Sequence, residues 1–146
     1  MFVPPDLADV FERTFTFMAY HTSVVEQAVL TDFINEGHFG RHIRRMRIHY
    51  AKRQSVMVSA IEEYLGAMAE AKSADAGMHI IAWLKGNLKG EAVAVEALKH
   101  GVYAPPLSFY CMNVHPPEGL LLGYTGISNT EIRRGIRKLA DLLRHL

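Results

Sequence analysis

Apolar residues recur along this chain in two rhythms, one helical and one extended, and the change comes after Leu65. Phe39, Ile43, Met46, Tyr50, Met57, Ile61 and Leu65 follow one another at steps of three, four or seven. That spacing keeps them on one side of a helix, so it predicts a long amphipathic helix from Phe39 to about Leu65, stopped by Gly66. Two helices are predicted before it. Pro4 and Pro5 ahead of Asp6-Leu7-Ala8 read as a helix start, because proline suits the first turn and an acid there meets the positive end of the dipole. This helix is expected to reach about Tyr20. Its Val10, Phe11, Phe15, Phe17 and Met18 are apolar on more than one side, which calls for burial on several faces, in a core or against a partner. His21-Thr22-Ser23 breaks the pattern. Ser23 with Glu26 three residues on has capping-box spacing. The next helix, Val24 to about Asn35, carries Val25, Val29 and Phe33 and ends at Gly37.

Beyond Gly66 the rhythm shortens. Ala67 to Lys72 reads as a short strand and Asp75-Ala76-Gly77 as a turn. Met78 to Leu84 is rich in residues that fit a pleated, half-buried surface and reads as a strand. Lys85 to Gly90 is a polar loop, and Glu91 to His100 a helix closed by Gly101. Val102-Tyr103-Ala104 is a short extended segment halted by Pro105-Pro106, and Leu107 to Pro117 a loop. Gly119 to Tyr124 is an apolar strand. Ser128, with Glu131 completing a second capping box, starts the last helix. The order is three helices, two strands, a helix, a strand and a helix. It predicts an α+β fold: one small antiparallel or mixed sheet of about three strands, covered by helices.

The chain of 146 residues is 49% hydrophobic and 21% charged, which fits one domain with a real core. Its formal net charge of +1 supplies no strong field toward nucleic acid or a membrane. The N-terminus lacks the basic-then-apolar order of a signal peptide, and no stretch approaches the roughly 20 apolar residues of a membrane span. A single cysteine, Cys111, excludes an internal disulfide and fits a reducing, cytoplasmic setting.

Several constellations suggest chemistry without completing it. The basic run from His38 to Arg53 surrounds an apolar stripe, and no turn and recognition helix accompany it, so it reads as a solvated or interdomain face with no direct nucleic-acid contact. His38 and His42 share a helix face but leave a zinc site short of a third ligand, so no metal is predicted. Ser108 and Cys111 lie in a loop near His115 without a nucleophile elbow or an activating partner. Gly86, Gly90 and Gly101 do not form a phosphate-cradling loop. Trp83 and the methionines read as core.

The segment from Ser23 to Arg53 resembles the corresponding region of MocR-type regulators, which join a GntR-type DNA-binding domain to an aminotransferase-like domain that binds pyridoxal phosphate. The residues that carry the likeness are Gln27-Ala28, Gly37-His38-Phe39, the run His42 to Arg47, Tyr50 and Arg53. Asp75 to His79, Gly101-Val102, Pro106-Leu107-Ser108, Tyr110 and Gly119 to Tyr124 agree with it, so the resemblance covers nearly the whole chain.

The resemblance implies a C-terminal small domain of a fold-type I aminotransferase-like protein, residues 1–146, with helix 1–22 packing on a large domain. In such proteins the Schiff-base lysine and the DNA-binding domain lie upstream of the matched segment. None of Lys52, Lys72, Lys85, Lys89, Lys99 or Lys138 has that lysine's sequence context. Leu121 matches the position where the family often carries its substrate-carboxylate arginine. No catalytic and no cofactor-binding residue is therefore expected in this chain. His79, Ser108 and Tyr110 are the candidate ligand-facing residues, because the small domain closes over the cofactor. The expected function is the aminotransferase-like part of a pyridoxal-phosphate-binding transcription regulator, inactive as an isolated chain. Two rivals are the C-terminal part of a true class I/II aminotransferase and a stand-alone dimerising interaction module. The bare apolar helix predicts a homo-oligomer.

Overall fold

A computed structural model describes residues 3–18, 23–75 and 77–146. The expected end of the first helix at Tyr20, the break at His21-Thr22 and Ala76 of the predicted turn lie outside the described residues. Close backbone contacts divide the chain into two compact units, 1–44 and 45–146.

In the first unit the predicted helix start at the prolines is a 3-10 turn, Pro5–Leu7, which leads into α1, Ala8–Met18. Helix α2 is Val24–Asn35. Ser23 is its N-cap, yet the Ser23 side chain makes no capping hydrogen bond, so the predicted box is not formed. The Ser-x-x-Glu spacing permits a box but does not by itself close one. Gly37 follows with φ +77°, the left-handed turn that glycine adopts without a Cβ penalty. None of the described residues in this unit is buried.

Helix α3, His38–Leu65, begins in the first unit and continues into the second. Of the predicted stripe, Met57, Ile61 and Leu65 are buried and enter the core together with Ala60, whereas Phe39 is exposed and Ile43, Met46 and Tyr50 are half-buried. Strand β1, Ala69–Glu70, is shorter than the Ala67 to Lys72 expected. Strand β2 is His79–Leu84, α4 is Gly90–Lys99, β3 is Gly119–Gly123 and α5 is Asn129–Leu143. The sheet has the order β1-β2-β3 and is antiparallel throughout. Within the predicted loop Leu107 to Pro117, a 3-10 turn forms over Leu107–Tyr110. Val102 to Ala104 joins no strand, but Pro106 bridges Leu120 and the Pro105 carbonyl accepts from the Leu121 amide, so this segment covers the β3 edge.

The register assigns the two faces of the sheet. Ile80 pairs with Leu122 and Ala82 with Leu120, and these four are buried with α3, α4 and α5 residues in one core. Each fully buried Leu or Ile contributes roughly 1.5–3 kcal/mol by leaving water. The alternate residues His79, Ile81, Trp83 and Leu121 stand on the other face, exposed or half-buried. On that face the end pairs are aromatic over glycine: Trp83 opposite Gly119 and His79 opposite Gly123. A Cβ on Gly119 would lie 3.2 Å from Trp83 Cε3, and one on Gly123 would lie 3.3 Å from His79 Cδ2.

Buried and half-buried polar groups in this unit tie the loops down. Tyr124, 1% exposed, donates through its hydroxyl to the Gly77 carbonyl at 2.8 Å and accepts from Gln54 Nε2 at 3.1 Å. Gln54 also donates to the Ala74 carbonyl at 3.0 Å, and Arg53 to the Thr125 carbonyl. At the start of α5 the predicted capping box is complete: Ser128 Oγ accepts from the Glu131 amide and the Glu131 carboxylate accepts from the Ser128 amide.

Candidate functional site

A cleft of about 650 Å3 opens in the second unit. One wall comes from β2 and β3, where His79 lies against Gly123. Another comes from the segment Gly101 to Tyr110, and the third from the first turns of α5. Its floor reaches Met57, Leu122, Ile132 and Leu139, core side chains no more than 4% exposed. The opening therefore cuts into the apolar interior and is rimmed by polar groups, the form in which small-molecule sites occur.

Helix α5 divides its cations between two flanks. Arg133 bonds Glu63 of α3 at 2.7 Å, and Arg137 bonds the Tyr64 hydroxyl at 2.9 Å while its guanidinium lies 4.9 Å from that ring centroid. The Tyr64 hydroxyl and Arg133 hold the Glu63 carboxyl below its ordinary range. Arg134 and Lys138, four residues apart, line the cleft, and Arg134 also borders a neighbouring opening with Arg133 and Arg137. Neither Arg134 nor Lys138 has a carboxylate within ion-pair distance among the described residues. Glu131, also at the cleft, is held by its cap, and the Ser128 hydroxyl bonded to it lowers its pKa.

Of the three residues expected to face a ligand, His79 and Tyr110 line this cleft, and so does Leu121. Ser108 does not. It lines a second, smaller opening with Glu118 and His115, and its hydroxyl donates to Glu91 at 3.2 Å. Beside it Glu118 accepts from the Gly90 amide at 2.8 Å and from Lys89 at 3.2 Å, which pulls its pKa down, the backbone bond most strongly. Glu118 thus places a carboxylate at the positive end of α4. Arg134 and Gly135 were not among the sequence candidates.

The other sequence features have ordinary surroundings. His38 stacks on Phe33 with centroids 5.7 Å apart and contacts Glu36 at 3.2 Å and Arg41 at 3.0 Å. Arg44, Arg45, Arg47 and Lys52 of the basic run are exposed, while Arg53 is half-buried. Among the described residues no group of three or more His, Cys, Asp or Glu could hold a metal ion, and no helix is long and apolar enough to cross a membrane.

A pyridoxal cofactor needs an enclosed amine for its aldehyde, a carboxylate at the ring nitrogen and a phosphate site. All six lysines are exposed, and Lys85, Lys89 and Lys99 are bonded to Glu70, Glu118 and Glu96. Lys138 stands at the cleft, but it is exposed. These residues do not fit the cofactor's aldehyde by themselves.

Comparison with known proteins places this geometry. No family model matches the chain. It is 39% identical over 137 residues to a probable rhizopine catabolism regulatory protein, MocR, of Rhizobium meliloti, covering 94% of this chain and 28% of that protein. It is 35% identical over 139 residues to the HTH-type transcriptional regulator YhdI of Bacillus subtilis, covering 95% of this chain and 30% of that protein. The chain's homologues are MocR/GntR-type regulators and aminotransferases. This MocR-like chain spans less than a third of the length of the two regulators. Its fold is found in Pyrococcus horikoshii kynurenine aminotransferase, solved in complex with PMP, with a TM-score of 0.83 and 23% identity, covering 97% of this chain and 35% of that one. The expected α+β, aminotransferase-like fold is therefore the one observed.

Proposed function

We propose that this chain is the aminotransferase-like small domain of a pyridoxal-phosphate-responsive transcription regulator, and that it has no transaminase activity by itself. One observation carries the reading: identity to regulators reaches 39% over 94% of the chain, against 27% over 86% for an aminotransferase of Saccharolobus solfataricus. The exposed lysines agree with the second half, since an amine in water is a poor partner for a coenzyme aldehyde.

On this reading the chain works in the cytoplasm as one domain. Its N-terminal helix, within residues 1–22, packs on the large domain that supplies the Schiff-base lysine. The apolar side chains of α1 and α2 support that role. Phe15 is 59% exposed and Val29 63%, and a surface of this kind favours association. Alone, the chain is expected to self-associate through the same surface.

The test is the reading frame upstream of the codon for Met1. A winged-helix coding region followed by a lysine-bearing large domain is the expected result. A lysine-bearing large domain without the winged helix would make the parent an aminotransferase. Neither domain in frame would leave the stand-alone interaction module.

A further inference from the structure

Charge is divided unevenly along the chain. Residues 1–36 hold six acidic side chains against one arginine, Arg13. Residues 37–61 hold six basic side chains and no acid, and residues 62–146 hold nine of each. Within one chain these acids and bases do not pair with each other. Among the described residues the side chains of Glu36 and Arg41 bond only to His38, and Asp32, Arg45 and Lys52 have no ion-pair partner. Both segments also carry regular ridges. On α2, Val25, Val29, Asp32 and the C-cap Glu36 follow at steps of four, three and four, which places them on one side of the helix. On α3, Arg41, Arg45, Ile48 and Lys52 follow at the same steps, on the side away from Ile43, Met46 and Tyr50. All eight are exposed in one chain, and the apolar ones, Val25, Val29 and Ile48, are 71%, 63% and 73% exposed.

We infer that a second copy of this chain covers each ridge, with α2 of one copy lying antiparallel on α3 of the other. In that register Glu36 meets Arg41, Asp32 meets Arg45, Val29 meets Ile48, and the Lys52 stem crosses Val25. A parallel register would set Asp32 against Ile48 and Val29 against Arg45, and would keep one ion pair where the antiparallel one makes two. The ion pairs fix orientation and register, while the apolar contacts leaving water supply attraction. Each copy carries both ridges, so one contact given and one returned close a dimer. Pairing of this kind rests on the self-association expected of the chain alone, and it names the surface that α2 meets.

Sedimentation equilibrium of the full chain should show a reversible monomer–dimer equilibrium. It should weaken about tenfold or more between about 0.05 M and about 0.5 M NaCl, because salt screens exposed ion pairs. Two double variants set like charges opposite one another: Asp32→Arg with Glu36→Arg, and Arg41→Glu with Arg45→Glu. Each should dimerise about tenfold or more weakly than the parent. Mixed in equal amounts, they should recover the parental affinity within about threefold, because each supplies the ridge complementary to the altered ridge of the other. All four positions are exposed, and far-ultraviolet circular dichroism of each variant checks that its helices remain. Recovery in the mixture separates pairing of two copies from closure of α2 on α3 within one chain, which mixing cannot restore. A monomer into the millimolar range overturns the inference, as does a mixture no tighter than its components. Association indifferent to salt and to both double variants also overturns it, while leaving apolar self-association in place. The regulator reading is decided separately, by the upstream reading frame.

Discussion

Removing one oxygen from Tyr124 tests how the second unit is held together. The hydroxyl donates to the Gly77 carbonyl and accepts from Gln54, and the ring is 1% exposed. Tyr124→Phe keeps the ring in the core and deletes both bonds. Each such bond contributes a net of about 0.5–1.5 kcal/mol, and an acceptor left dry costs more. Gln54 keeps its bond to the Ala74 carbonyl, so its loss is partial. The sum is a destabilisation of about 1–2 kcal/mol. For a unit of this size, that lowers the melting temperature by roughly 4–8 °C per kcal/mol. Urea unfolding followed by far-ultraviolet circular dichroism should show a lower midpoint and an unchanged slope. Gln54→Ala in the same background should be non-additive by about 0.5 kcal/mol or more. A Tyr124→Phe midpoint equal to that of the parent, or strict additivity with Gln54→Ala, would refute the coupling of α3 to the loop before β2.

Ser128→Ala should cost about 1 kcal/mol by opening the capping box of α5, whereas Ser23→Ala should cost almost nothing because its hydroxyl caps no amide; thermal melts of the two variants compare them. Leu65→Ala, at a fully buried position, should cost about 2–5 kcal/mol in urea unfolding. Gly123→Ala pushes a methyl toward His79 Cδ2 and should displace that ring from the cleft wall, seen as a changed His79 ring shift in NMR spectra. Glu118 and Glu131 titrate below their ordinary value of 4.5, Glu118 chiefly through the Gly90 amide and Glu131 chiefly through the Ser128 hydroxyl. A lowered folded-state pKa contributes stability that is present above the unfolded value and lost as pH falls below it. Stability should therefore decline below about pH 4.5, less steeply in Glu118→Gln and Glu131→Gln, by urea midpoints across the acid range.

The elements that sequence reading located well are those that local chemistry terminates. Gly37, Gly66 and Gly101 close the helices predicted before them, and α2 starts and stops at Val24 and Asn35 as expected. The α5 capping box was legible because Ser128 and Glu131 both serve it, while the same spacing at Ser23 carries no side-chain cap. The 3-10 turn at Leu107–Tyr110 was hidden, since one short turn among prolines and aromatics leaves no period to read. The cleft was half legible. His79 and Tyr110, in segments that family likeness singled out, line it, whereas Ser108 bonds Glu91. Arg134 and Gly135 went unseen because a cation and a glycine acquire meaning only when the pairing of their neighbours Arg133 and Arg137 is known.

None of the six lysines is enclosed to receive a coenzyme aldehyde, and this is the claim on which the account rests. The direct measurement is borohydride trapping after incubation with pyridoxal phosphate, followed by mass spectrometry of the intact chain and its peptides. Sparse, unsaturated labelling spread over the six exposed lysines is the expected outcome. One saturable adduct on a single lysine would contradict it.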